Sequence, residues 1–159
     1  MEKWEKQLTA LLWLCAAETE EERKTLRREL RQLLQGMGPA RPTPEGVLRQ
    51  LLLEMGVPDH LVGHAYLVRA VVLLVEDSMY IRNITFGLYP QVAAQLDTTA
   101  GRVERAIRNL IEVTWARGKE EVLNYYFGNI VTSEKAKPTN SEFIARLANL
   151  VKAKMREAA

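Results

Sequence analysis

Residues 88–119 of the chain, LYPQVAAQLDTTAGRVERAIRNLIEVTWARGK, contain two amphipathic helical patterns separated by a short polar turn. Pro90 suits the first turn of a helix, because its missing N–H would be unpaired there anyway. Asp97 and the two threonines after it have the chemistry of a turn, and a threonine hydroxyl can cap the next helix. The stretch therefore predicts a helix-turn-helix whose second helix covers about residues 100–117.

The second helix of this motif has one apolar and one charged face. Its apolar positions recur at helical spacing: Val103, Ala106, Ile107, Leu110, Val113 and Thr114. The outward face carries Glu104, Arg105 and Arg108, with Arg102 near its start. Arginine can donate to guanine O6 and N7, and a carboxylate can accept from cytosine N4. This pattern indicates base recognition in the major groove, although a solvated helix with i,i+4 ion pairs shows similar spacing.

Two longer motifs carry a family resemblance. The run TTAGRVERAIRNLIEVTWARG, followed by FGNIVTSEKAKPTNSEFIA, closely resembles the DNA-binding effector domain of the stage zero sporulation protein A family. These proteins are response regulators of sporulation in endospore-forming bacteria. The resemblance extends from about Pro44 to the C-terminus. It implies a helical bundle that binds short operator boxes in double-stranded DNA and contacts an RNA polymerase sigma factor.

The resemblance can be followed residue by residue on the charged face. Glu104, Arg105 and Arg108 match the family, whereas Gly101 and Asn109 stand where serine and histidine are usual. The operator preference is therefore expected to be close to that of the family, with altered contacts at the start and flank of the helix. The residues predicted to bind DNA are Thr99, Arg102, Glu104, Arg105, Arg108, Lys135 and Lys137.

The two lysines in this set precede the last predicted helix. Thr139 and Glu142 have the spacing of a capping box, which places a helix start there. Lys135 and Lys137 are either solvated charges or ligands of DNA phosphates. The resemblance favours phosphate binding, and the N–H groups at the helix start could bind an anion as well.

Composition limits the remaining classes of function. The 159 residues are 47% apolar, which is enough for one packed domain with a small appendage. A net charge of +2 excludes a basic tail that coats nucleic acid, so any DNA binding must depend on local charge. Cys15 is the only cysteine, which excludes an internal disulfide and fits a reducing cytoplasm. The sequence shows no catalytic constellation, so we predict no enzyme activity, metal or cofactor.

The chain as a whole is predicted to be all-α, a helical bundle containing a helix-turn-helix and preceded by an N-terminal helical hairpin. The hairpin covers residues 1–37, a stiff Gly- and Pro-containing linker covers 38–43, and the effector domain covers 44–159. The apolar run 8–17 is too short to span a bilayer, so we expect a cytoplasmic protein without membrane association. A short helix is predicted over 79–86, leading into the helix-turn-helix.

The N-terminal segment differs most from the resembled family, which has a receiver domain with a phosphorylated aspartate there. About 40 residues precede the linker and lack alternating β-strands, so control by receiver phosphorylation is not expected. The apolar stripes of this segment must pack either on the chain's own bundle or on a second copy. The stiff linker and the gain in affinity from tethering two DNA-binding copies favour a homodimer through these helices.

An alternative function from a different class is a protein-interaction module. The chain would then act as an antagonist or adaptor of a full-length sporulation regulator. The Glu/Arg/Arg face favours DNA binding, because a protein binder would have no need of it.

Overall fold

The computed structural model describes residues 9, 19–35, 42–128 and 137–158. These residues form helices and connecting turns without a strand, which confirms the predicted all-α class. The chain divides into two compact units, Met1–Arg41 and Pro42–Ala159. The division falls inside the predicted linker, of which residues 42 and 43 are described and neither is helical.

In the first unit, helix α1 spans Glu20–Gln35. A capping box starts it: the Thr19 N–H donates to Glu22 Oε2 at 3.1 Å, and the Glu22 N–H donates to Thr19 Oγ1 at 3.2 Å. Residues 1–8, 10–18 and 36–41 lie outside the described residues, so the first helix of the predicted hairpin and most of the linker stay predictions.

The second unit contains six α-helices among its described residues. They are α2 Pro44–Met55, α3 Val62–Glu76, α4 Tyr89–Gln95, α5 Ala100–Arg117, α6 Glu120–Phe127 and α7 Asn140–Glu157. Thr43 caps α2, its hydroxyl accepting from the Gly46 N–H at 3.1 Å. Gly56 ends the helix in the left-handed conformation with φ 75°, where glycine has no steric penalty.

Helix α3 is the centre of this unit and packs most extensively on α5 and α7. Its inner positions, such as Leu67, Ala70 and Val71, are fully buried. At Gly63 the helix approaches α5 so closely that a Cβ would lie 2.2 Å from the carbonyl oxygen of Ala106. Only a residue without a side chain permits this approach, so the position of α5 on α3 depends on glycine at this site.

An aromatic cluster holds the C-terminal end of α5. The Trp115 ring meets the rings of Phe127 and Phe143 edge-on, with centroid distances of 5.4 and 5.7 Å. Phe127 and Phe143 stack on each other at 5.0 Å. Such aromatic contacts add to the apolar burial of the rings. Because these rings belong to α5, α6 and α7, the cluster joins three helices at one point.

The segment before α4 is helical, but it consists of two short pieces where a single short helix over 79–86 is predicted. It forms a 3₁₀ helix at Ser78–Arg82 and then a π-helical turn at Ile84–Leu88. The Asp77 side chain accepts from the Met79 N–H at 2.9 Å and starts the first of these. Pro90 accounts for the wider second turn, because it has no N–H to donate and its ring would collide with the carbonyl four residues earlier.

The close approach of α3 and α5 predicts that Gly63→Ala lowers the free energy of unfolding. The added methyl must displace the α5 backbone rather than a flexible side chain, so we expect a loss of at least about 1–3 kcal/mol. Gly101→Ala is the matched control, because a Cβ there meets nothing within 4 Å and should be neutral or stabilising by up to about 1 kcal/mol. Urea unfolding of both variants measures the difference, and equal stability of the two would contradict the packing argument.

Candidate nucleic-acid interface

The turn between α4 and α5 is fixed by backbone and side-chain hydrogen bonds. Asp97 adopts the left-handed conformation with φ 49°, and the Thr98 N–H donates to the Ala93 carbonyl at 3.0 Å. This is the helix-ending arrangement in which a left-handed residue lets the chain reverse direction. Thr99 then starts α5, its hydroxyl accepting from the Arg102 N–H at 3.4 Å. Together these bonds set the angle between the two helices of the motif.

Helix α5 has the two faces that the sequence predicts. Its inner face is buried and consists of Val103, Ile107, Leu110, Ile111 and Thr114. The Thr114 hydroxyl donates to the Leu110 carbonyl at 2.7 Å, which satisfies this polar group in the core. Because the inner face packs in the core, the charged face of the same helix points away from the unit's interior.

The start of the charged face is exposed and consists of Arg102, Glu104 and Arg105. Arg105 Nε donates to the Gly101 carbonyl at 3.1 Å, which steadies the side chain along the helix. The terminal nitrogens of its guanidinium make no hydrogen bond within the described residues, and neither does the Glu104 carboxylate. Arg105 and Glu104 therefore place guanidinium donors and a carboxylate acceptor side by side on the exposed surface of α5.

Arg108 differs from these residues, because its guanidinium already has partners inside the chain. Nε and Nη2 donate to Glu112 Oε1 at 3.0 and 2.6 Å, and Nη1 donates to the Pro138 carbonyl at 2.9 Å. Lys137 binds the other oxygen of the same carboxylate. The hydrogen bonds from Lys137 and then Arg108 hold the pKa of the Glu112 carboxyl below its ordinary value. Glu112 is thus an anion shared by two cations.

The N-terminus of α7 lies beside this face. The Thr139 hydroxyl accepts from the Glu142 N–H at 3.3 Å, and the Glu142 carboxylate accepts from the Thr139 N–H at 2.8 Å, which confirms the predicted capping box. Asn140 Nδ2 donates to the Glu104 carbonyl at 2.9 Å. The first turn of α7 is therefore attached to the backbone of α5, and its positive dipole end adds to the positive potential there.

A groove of about 390 Å³ separates the two helices at this place. Its lining residues are Thr85, Tyr89, Glu104, Arg105, Arg108, Thr139, Asn140 and Ser141. Burial raises the pKa of Tyr89, a hydrogen bond from the Asn140 side chain lowers it, and the charge of Glu104 raises it further. The phenol therefore stays neutral at physiological pH and can donate a hydrogen bond. The groove combines arginine donors, hydroxyl and amide groups with the Glu104 carboxylate, a set that can donate to and accept from a polar ligand.

The structure brings together most of the predicted DNA-binding residues. Arg102, Glu104 and Arg105 lie exposed on α5, Thr99 is the cap of that helix, and Arg108 and Lys137 meet at Glu112. Lys135 lies outside the described residues.

Sequence reasoning missed Glu112 and Asn140. The i,i+4 spacing of Arg108 and Glu112 is a signal that could have identified their pair. The other two contacts have no signal in the local sequence. Glu112 binds Lys137, which is 25 positions away, and Asn140 binds Glu104, which is 36 positions away.

The described residues contain no candidate for two other classes of site. No group of three or more His, Cys, Asp or Glu side chains in these residues could hold a metal ion. None of the described helices is long and apolar enough to cross a membrane.

Comparison with known protein families matches residues 48–151 to the family described as sporulation initiation factor Spo0A, C terminal. The match covers well over half of the 159 residues and lies within the second unit. It includes the whole helix-turn-helix and every residue predicted to contact DNA.

Proposed function

The chain belongs to the Spo0A C-terminal family of DNA-binding effector domains, and on this premise we propose that it is a transcription regulator that binds double-stranded DNA sequence-specifically. Helix α5 enters the major groove in this proposal. The observation that carries it is the exposed pair Glu104 and Arg105 on a helix whose opposite face is buried in the core. A rigid helix with such a pair meets the requirements of base recognition.

Glu104 and Arg105 have complementary roles in this proposal. Because Arg105 Nε is engaged with the Gly101 carbonyl, its two terminal nitrogens are available to donate to guanine O6 and N7. The Glu104 carboxylate accepts from the N4 amino group of cytosine. A carboxylate near DNA also repels misplaced phosphates, so Glu104 contributes to discrimination as well as to binding.

Contacts to phosphates position α5 in the groove. Arg102 at the helix start and Lys137 before α7 carry the charge, and Lys135 extends this set in the proposal. The N–H groups of Asn140 and Ser141, which the capping box leaves unused in the first turn of α7, are a further donor set for a phosphate oxygen. Such contacts fix the register of the protein on the duplex and supply affinity without sequence information.

The partners in this proposal are an operator in double-stranded DNA and, following the family, an RNA polymerase sigma factor. A DNA-binding role places the chain with the chromosome in the cytoplasm. Selection from a random-sequence duplex pool tests the function: the full chain should enrich a consensus that survives at raised salt. If no consensus emerges, the protein-interaction hypothesis becomes the better account.

The first prediction from this proposal concerns specificity. Arg105→Ala should cost about 1–3 kcal/mol on the enriched duplex and relax the preference for one base pair. Arg49→Ala is the matched control, because this exposed arginine on α2 pairs with Glu45 at 2.8 Å and lies outside the DNA-binding set. Titration of enriched and random duplexes measures both variants. Equal losses of Arg105→Ala on the two duplexes would show that Arg105 contacts no base.

A second prediction concerns activation. We propose that DNA binding by these 159 residues does not require phosphorylation of an aspartate. The helical, strand-free character of the described residues supports this, because a receiver domain is built on a parallel sheet. Incubation with acetyl phosphate should leave the dissociation constant for the enriched duplex unchanged. A phosphodonor-dependent gain in affinity would reveal a switch and refute this part of the proposal.

A third prediction concerns assembly. We propose that residues 1–37 join two copies of the chain, because Leu26 and Leu30 lie one turn apart on α1 and a short helix is marginal in water without a packing partner. Light scattering should give a dimer for residues 1–159 and a monomer for residues 43–159. If residues 43–159 are still dimeric, the two copies associate through the second unit and not through residues 1–37.

A further inference from the structure

Glu112 occupies an unexpected place for a carboxylate, one turn beyond Arg108 on the charged side of the proposed recognition helix. An acidic group near DNA phosphates lowers affinity unless its charge is compensated. Here Arg108 and Lys137 compensate it, and the three side chains together carry one net positive charge. We call these three residues the Glu112 cluster.

The Glu112 cluster joins two parts of the interface that are distant in sequence. Arg108 holds one oxygen of the carboxylate through Nε and Nη2, while Lys137 holds the other. Arg108 also reaches the Pro138 carbonyl through Nη1 at 2.9 Å. Lys137 and Pro138 immediately precede the cap of α7. The cluster therefore attaches residues 137 and 138, just before α7, to α5. The Asn140–Glu104 hydrogen bond is a second link between the same two helices.

Stability alone does not explain such a cluster. The side chains of Arg108, Glu112 and Lys137 are 39%, 42% and 35% exposed, and ion pairs at that exposure contribute little to folding. What they do fix is orientation, because the two oxygens of one carboxylate each hold a different cation. The Glu112 carboxyl is ionised at neutral pH, and its lowered pKa extends the ionised form toward acid pH.

We propose that Glu112 is a positioning residue of the DNA interface, which holds Arg108 and Lys137 in place and thereby orders the start of α7 against the recognition helix. This inference rests on the proposed function, since it concerns the same surface. The inference gives the two arginines different roles. Arg105 contacts bases, whereas Arg108 donates three of its five N–H groups to partners inside the chain and mainly helps to hold the start of α7 against α5.

The cluster has a definite consequence for specificity. When Glu112 is present, the Lys137 ammonium group is held at one location. It then strengthens binding only when the protein is positioned along the duplex so that a phosphate lies at that location. Without the carboxylate, both cations become free to approach any phosphate. Binding to random DNA should then rise, and the preference for the cognate duplex should fall.

The test compares Glu112→Gln, Lys137→Gln and the double variant in the full chain, using the enriched duplex and a random duplex. Glu112→Gln removes the charge and preserves the shape. We expect it to lower the ratio of cognate to random affinity on the order of tenfold, as is common for coupling between contacting residues. The double variant should lose less of this ratio than the two single variants do in sum, because part of the effect of Glu112 acts through Lys137. Thermal melting should remain close to that of the wild-type chain.

Glu121→Gln on α6 is the matched control, because it removes the same charge from an exposed carboxylate outside the interface. An equal drop in the ratio for this control would assign the effect to net charge and overturn the inference. An unchanged ratio for Glu112→Gln, or additive effects in the double variant, would overturn it while leaving the proposed function intact. A wild-type chain that does not discriminate between the two duplexes would refute the proposed function and this inference with it.

Discussion

The packing of α3 against α5 is the contact on which the rest of the effector unit depends. At Gly63 the backbone of α3 lies so close to the backbone of α5 at Ala106 that no side chain fits between them. From this point the apolar face of α5 runs along α3, burying Val103, Ile107 and Leu110. A recognition helix must keep its side chains within hydrogen-bonding distance of base edges, so its backbone has to be held rigidly. The contact at Gly63 holds the backbone of α5 directly against the backbone of α3.

The other supports of α5 act at its ends and along its charged face. Thr99 caps its start, and the Trp115, Phe127 and Phe143 rings hold its end. The Glu112 cluster and the Asn140–Glu104 hydrogen bond connect its outer side to α7. A helix fixed in this way presents Glu104 and Arg105 without the cost of ordering it on binding. The same arrangement explains how a chain with a net charge of only +2 could bind DNA, since local placement replaces overall charge.

Sequence reasoning predicted the elements whose signals are local. The predicted threonine caps at positions 99 and 139 mark true helix starts, because capping requires residues only three positions apart. The span of α5 follows equally from its periodicity. The π-helical turn before α4 was not predicted, since nothing in residues 84–88 other than the following proline distinguishes it from an ordinary helix. The shared partner of Arg108 and Lys137 also escaped prediction, because their link through Glu112 forms only after folding brings α5 and the entry of α7 together.

We propose that Arg105, on the rigidly held helix α5, contacts a guanine in the major groove. Substituting 7-deazaguanine for individual guanines of the enriched duplex tests it most directly, because this removes the N7 acceptor and leaves base pairing intact. We expect the substitution at one position to weaken binding by the wild-type chain and to have no further effect on Arg105→Ala. If no substituted position weakens binding by the wild-type chain, or if binding by Arg105→Ala is weakened to the same extent, then Arg105 does not contact a guanine through N7.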